Sequence, residues 1–295
     1  MRYKQILLGL ILFVLLGGFL QITGKFHFFY IEQLQLFQFS EDYLADKISS
    51  PGGLSLIIGE FLTQFFITPY AGPFIIAAIL TSIGLTMREI ILQINPNKEL
   101  FLLYLLPVLF LLLIQYDFNY LVQGTIAFLF CLISLNAWMR IKGLISLNAW
   151  MRIKDPCYRL SAALVITPLL FWIGGPIAGL FSLSVVLKEA ISRSKQGFYF
   201  LAVLIEYLFI GIGSVWSTTI TSYRFAFLPD AFYHPILAAP NLIYFAWVCL
   251  PLSLIGAFVY PKGKNQSKKK TGIELTVQFI LILFLCWVTI PRYND

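Results

Sequence analysis

A chain of 295 residues that is 59% hydrophobic and only 12% charged, with a mean hydropathy of +0.83, carries more apolar surface than a soluble domain can hide. The class these numbers leave is an all-α, polytopic bundle of transmembrane helices. A formal net charge of +7 would point a soluble protein toward nucleic acid. Here Lys and Arg fall in short loops between apolar runs, so they report topology and give no sign of a nucleic-acid partner.

The N-terminus, MRYKQILLGLILFVLLGGFLQ, has the basic start and apolar core of a signal sequence. It lacks a small-residue cleavage site and is long enough to span, so it reads as an uncleaved first span. Next comes the stretch that concentrates carboxylates: Glu32, Glu41, Asp42, Asp46 and, further on, Glu60. From Glu32 the polar residues Gln35, Gln38, Asp42 and Asp46 follow at steps of three or four, which predicts one polar stripe along a helix. Tyr30, Leu34, Phe37, Leu44 and Ile48 form a second stripe, as expected of a helix lying at the lipid–water boundary. Two readings stand: an ordinary interfacial helix, or a catalytic or substrate-binding ledge beside the membrane.

Apolar runs follow at 53–68, 71–92, 100–116, 119–138, 160–187, 197–217, 237–259 and 273–290. If each run crosses once, the cations divide almost evenly between the two sides, against the positive-inside bias. Laying 53–68 at the outer surface, and letting 160–187 enter and return on one side, leaves only Lys25, Lys47, Arg224 and Arg292 outside. Both segments have the punctuation for this. The first follows Pro51-Gly52-Gly53 and ends at Thr68-Pro69; the second is broken by Pro168 and by Gly174-Gly175-Pro176. Each half of the second is about 14 residues, suited to a re-entrant hairpin, with a single kinked span as the other reading.

The expected organisation is one transmembrane domain over 1–295 with about seven full spans. Residues 23–70 form an extracytoplasmic loop with amphipathic helices, and 139–159 and 261–271 are cytoplasmic basic loops. The N-terminus is cytoplasmic and the C-terminus outside. Within the first basic loop, LISLNAWMRIK at 132–142 recurs letter for letter at 144–154 and carries no chemistry of its own. The lysines of 261–270 set orientation and meet anionic membrane lipids.

Ionisable groups away from water are default functional candidates. Glu206 lies deep in LAVLIEYLFIGIG, and Glu60 in a half-exposed segment. Arg224, beside Tyr223, Tyr233 and His234, has two readings: a bidentate holder of phosphate, or a partner of Asp230 or a first-loop acid. Cys131, Cys157, Cys249 and Cys286 lack metal or redox spacing. There is no Walker loop, zincin pattern or nucleophile elbow, and His27 and His234 are too few for a histidine-rich metal site.

Glu32-Gln33 after the first span, Pro51-Gly52-Gly53-Leu54 opening a surface helix, and Arg88 closing the next span resemble the C-type superfamily of integral-membrane glycosyltransferases. The resemblance covers under a third of the chain. It implies a sugar taken from a polyprenyl-phosphate donor, with a loop acid acting as general base or ordering a divalent metal. Carried over, Glu32 is the base with Asp42 second, Arg224 holds the donor phosphate, and His234, Glu60 and Glu206 are substrate-binding candidates. The usual acidic pair followed by Tyr appears only as Glu32-Gln33 or as Glu41-Asp42-Tyr43. The text FHFFYIEQLQLFQF…PGGL…GEFLTQFF also resembles an uncharacterised family of multi-pass bacterial inner-membrane proteins. Its members continue into a C-terminal extracytoplasmic region, which the resemblance implies is missing here. The rival functions are a lipid or solute transporter with a path past Glu206, Glu60 and the 160–187 hairpin, and a membrane anchor of a larger protein.

Overall fold

The computed structural model describes residues 2–96, 100–147, 155–192, 197–234 and 239–259. The α-helices within these residues are α1 (Arg2–Thr23), α2 (Lys25–Leu34), α3 (Glu41–Ser49), α4 (Gly53–Thr63), α5 (Ala71–Ile94), α6 (Phe101–Ile114), α7 (Val122–Leu147), α8 (Asp155–Gly174), α9 (Ile177–Ile191), α10 (Leu201–Trp216), α11 (Tyr223–Phe227) and α12 (Asn241–Val259). Six of them, α1, α5, α7, α8, α10 and α12, contain stretches long and apolar enough to cross a membrane. The shorter apolar helices are α4, with the 3₁₀ turn after it, and α6. The 273–290 run and the 261–271 loop lie outside the described residues.

Contacts sort the helix ends into two levels. At one end the Thr23 and Tyr116 hydroxyls meet, Tyr120 bridges to Tyr233, and Gly52 touches Gly175. At the other, Gln93 bonds Asn136 at 2.6 Å, Trp138 Nε1–H donates to the Arg159 carbonyl at 2.9 Å, and Asn95 reaches the Ala257 carbonyl at 3.4 Å. Segment 23–70 belongs to the first level, hereafter the ledge end.

The single polar stripe expected over 32–46 is not there. Two helices, α2 and α3, are separated by an extended strip from Gln35 (φ −122°, ψ 101°) to Ser40. The reason is local: the Ser40 hydroxyl accepts from the Tyr43 backbone N–H at 3.3 Å, capping a new helix whose first turn carries Glu41 and Asp42 and whose last carries Lys47. Phe37 and Phe39 in the strip pack edge-on against Phe61 of α4. Glu32 and Asp42 therefore sit on different helices.

The 160–187 segment is a full helical hairpin and not one kinked span. Helices α8 and α9 run antiparallel, with the Thr167 and Ser182 hydroxyls 3.5 Å apart, and α8 extends back to Asp155. Its 20 residues rise about 30 Å. The turn is made by Gly175 at φ +67° followed by Pro176, while Pro168 is carried inside α8. The hairpin starts and ends at the far level, as expected, but its tip reaches the ledge.

The boundary expected at 139 falls inside a helix. Helix α7 continues to Leu147 because Leu132, Leu135, Trp138 and Met139 recur at helical spacing and are all buried. The first copy of the repeat is thus helix; most of the second lies outside the described residues.

The ledge meets the bundle at a pair of glycines. Gly52, at φ +83°, donates its N–H to the Trp172 carbonyl at 2.9 Å and accepts from Gln123 Nε2 at 3.2 Å. A Cβ there stands 3.3 Å from both the Gln123 amide nitrogen and the Gly175 backbone nitrogen. We expect Gly52→Ala to lower stability by about 1–2 kcal/mol, the cost of an L-residue in left-handed backbone, plus any shift of Gln123. Gly18→Ala, with nothing within 4 Å of its Cβ, is the control. Thermal unfolding in one detergent checks both; equal melting temperatures would refute the role given to Gly52.

Candidate functional site

The ledge is assembled on α4. This helix crosses the start of α7, where the absence of a side chain on Gly59 lets the Gln123 backbone approach to about 3 Å of where a Cβ would stand. Its buried residues are Gly53, Ser55, Gly59, Glu60 and Thr63, so Glu60 is the one carboxylate turned inward on a face otherwise of small residues. Only 9% of Glu60 is exposed.

Helix α3 supplies its partners. The Tyr43 hydroxyl donates to Glu60 Oε2, and Lys47 Nζ lies 3.3 Å from Oε1. Tyr43 and Lys47 are one turn apart, which puts both on the side of α3 that faces α4. Burial and the neighbouring Glu60 carboxylate together push the Tyr43 hydroxyl above the ordinary tyrosine range. On the next turn of the chain Gln64 Nε2 donates to the Gln35 carbonyl at 2.7 Å and to that of Glu60 at 3.2 Å, tying the extended strip to the same place. Around this polar centre Phe37 packs against Tyr43 and Phe61, and Phe61 against Phe65.

The other candidates disperse. Glu32 is half-buried on α2, and Asp42 is exposed at the start of α3. Arg224, half exposed, forms an ion pair with Asp230, whose second oxygen accepts from the Tyr244 hydroxyl at 2.5 Å. Of its two readings, the Asp230 pair is realised. His234 is exposed and bonds through its backbone N–H to the Asn119 carbonyl at 3.2 Å. Glu206 lies on the flank of α10, beside the inward row Val203, Tyr207 and Gly211. One of its carboxylate oxygens is enclosed without a hydrogen-bond partner among the described residues. Of the candidates named from sequence, Glu60 and Arg224 are joined to other functional groups, and of these two Glu60 is the buried one. Tyr43 and Lys47 were missed as its partners; their spacing of four in EDYLADKIS was the available signal.

Two further polar centres were also missed. At the far end Arg159 reaches Glu189 at 2.6 Å and lies 4.4 Å over the buried Trp138 ring, with Lys188 2.7 Å from the same carboxylate. This cluster latches α7, α8 and α9 together. At the ledge end His27 is buried among Phe28, Tyr116 and Phe118. Among the described residues no three His, Cys, Asp or Glu side chains converge as a metal cluster.

The helices and their composition define a multi-pass helical membrane protein. Residues 2–295 match DUF6057, a family of unknown function, and the chain belongs to that family. No curated protein and no solved structure matches it.

The His27 ring yields a pH prediction. Burial lowers its pKa from 6.5 to about 4, partly offset by the Gln115 carbonyl and the Asp117 carboxylate. Because the folded value is depressed, folding favours the neutral ring. Its stabilising effect is complete above about pH 6.5 and is lost as pH falls toward 4, by up to about 3 kcal/mol. Melting temperature measured between pH 7.5 and 4.5 should fall for the wild type and fall less for His27→Phe; parallel curves would contradict the assignment.

Proposed function

We propose that this chain is a membrane-embedded transferase that takes a sugar from a polyprenyl-phosphate donor at the extracytoplasmic face of a bacterial inner membrane. The N-terminus is then cytoplasmic and the ledge outside. The observation that carries the reading is the buried Glu60 carboxylate, set among hydrogen-bond donors and aromatic rings at the end of the bundle where 23–70 folds back. An amphipathic, lipid-linked donor needs that combination: an apolar wall for its chain, donors and acceptors for its head, and access from the membrane.

In the reaction, the acceptor's hydroxyl oxygen forms a bond to the anomeric carbon. The bond from that carbon to the phosphate oxygen breaks, and polyprenyl phosphate leaves with the electron pair. The hydroxyl proton passes to a carboxylate, the role the glycosyltransferase resemblance gives to Glu32, with Asp42 second. Arg224 spends one terminal nitrogen on Asp230 and presents the rest of its fork to the donor phosphate. Glu60 orients hydroxyl groups. The transporter reading gains no support from Glu206, which flanks α10 beside exposed Ile205 and Phe209.

Native mass spectrometry of the protein in mild detergent tests this. A retained polyprenyl phosphate or its sugar conjugate is expected, with retention of both weakened in Arg224→Met and that of the sugar conjugate weakened in Glu60→Gln. Glu32→Gln should keep the lipid yet lower sugar transfer by about 10²–10⁴-fold, the usual weight of a general base. Bulk phospholipid alone, unchanged by these variants, would overturn the proposal.

A further inference from the structure

Helix α3 has no buried residue of its own. Among the described residues its side-chain attachments to α4 converge on one group, the Glu60 carboxylate, through Tyr43 and Lys47. It is joined to its neighbours by the extended strip Gln35–Ser40 before it and by Ser50-Pro51-Gly52 after it. What lies under α3 is rich in acceptors. Glu60 offers two carboxylate oxygens, and Gln35, itself buried, has a side-chain oxygen with no partner among the described residues. Gln64 bonds the backbone carbonyls of both Gln35 and Glu60, and the Tyr43 hydroxyl that donates to the Glu60 carboxylate also lies 3.3 Å from the Leu36 carbonyl, so the strip at Gln35–Leu36 runs beside Glu60. Its wall is the edge-to-face set of Phe37, Phe61 and Phe65.

From this we infer that Glu60 and Gln35 form a subsite for the hydroxyl groups of a sugar ring, covered in the resting protein by α3. The Tyr43 hydroxyl and the Lys47 ammonium stand where ligand hydroxyls bind. A buried carboxylate left without donors is costly, so a cover that supplies them keeps the subsite formed while empty. The ligand's hydroxyls take over the hydrogen bonds of both donors, a neutral bond standing in for the Lys47 ion pair, and the apolar face of the ring lies against the phenylalanine wall. A phosphate is excluded as the occupant at this point, because Glu60 repels it. The sugar is the part of the donor whose chemistry matches. The inference rests on the transferase reading and assigns its sugar to a place.

Two measurements in lipid nanodiscs test it. The first is deuterium exchange without ligand. In the double variant Tyr43→Phe, Lys47→Met, the α3 amides should exchange at least about tenfold faster while α5 is unchanged, as expected for local opening of a segment held by these contacts. Unchanged protection overturns the cover, whatever the enzyme does.

The second compares farnesyl phosphate with its glucosyl, mannosyl and N-acetylglucosaminyl esters as probes. At least one sugar ester should bind the wild type about tenfold or more tighter than farnesyl phosphate, bind the double variant tighter still, and lose that advantage in Glu60→Gln. Equal binding of farnesyl phosphate and all three esters overturns the subsite and leaves the transferase reading standing, with the sugar held elsewhere. Failure of every probe to bind overturns both.

Discussion

The close approach of two left-handed glycines, Gly52 and Gly175, is the constraint on which the rest of the architecture depends. One opens α4 and the other turns α8 into α9, and their backbones pass without any side chain between them. Gln123 closes the junction by donating to the Gly52 carbonyl, while Gly52 donates to Trp172. Three separate stretches, the ledge, the start of α7 and the tip of the hairpin, are registered against one another there. A Cβ on either glycine must adopt a backbone region that L-residues disfavour, in a space already at van der Waals contact. Since α4 is aimed by this junction, so is Glu60, two turns further along.

Given that placement, the chemistry of the ledge follows from burial. Glu60 enters the α4–α7 contact on a face whose other members are glycine, serine and threonine. A carboxylate in that position requires donors, and α3 brings two from a single face. The same physics recurs at the far level, where Glu189 is enclosed with Arg159 and Lys188 against the Trp138 ring. The two sites differ in what holds their partners. Arg159 is itself buried and its helix long, so that cluster locks three helices. Tyr43 and Lys47 sit on a nine-residue helix with no buried residue, so their contact with Glu60 is its polar side-chain tie to α4. A lock and a latch are thus built from the same charges, distinguished by how much apolar packing stands behind each partner.

The segment 217–234 adds a second anchored element at the ledge end. His234 and Leu121 exchange backbone hydrogen bonds with Asn119 and Phe232, and the Tyr233 hydroxyl donates to Asp117 at 2.9 Å. Arg224 is thereby held near the bundle end by Asp230, itself gripped by Tyr244 of α12. The ledge and this segment both lean on the α6–α7 connection: Phe118 packs against His27 and Tyr30, while Asn119 and Leu121 bond His234 and Phe232.

How much of this was legible in the sequence differs by feature. Apolar runs reported the long helices, because a helix facing lipid or core must be apolar over its length. Pro51-Gly52-Gly53 and Gly174-Gly175-Pro176 marked both turns, because only glycine takes positive φ freely. The helix break at Ser40 was missed because the polar steps of three and four from Glu32 to Asp46 continue through it, while a cap and two packed phenylalanines decide against continuity. Pairings between distant segments were not readable: the nearby Asp230 stood as one of two readings for Arg224, but nothing in the chain says that Glu60 meets α3 and not the bundle. By itself the sequence determined a membrane-helix bundle, its turn positions and the candidate carboxylates, since these depend on local composition and periodicity. Only the tertiary structure decided which carboxylate is enclosed and by whom, since burial and partner choice depend on residues brought together from distant parts of the chain.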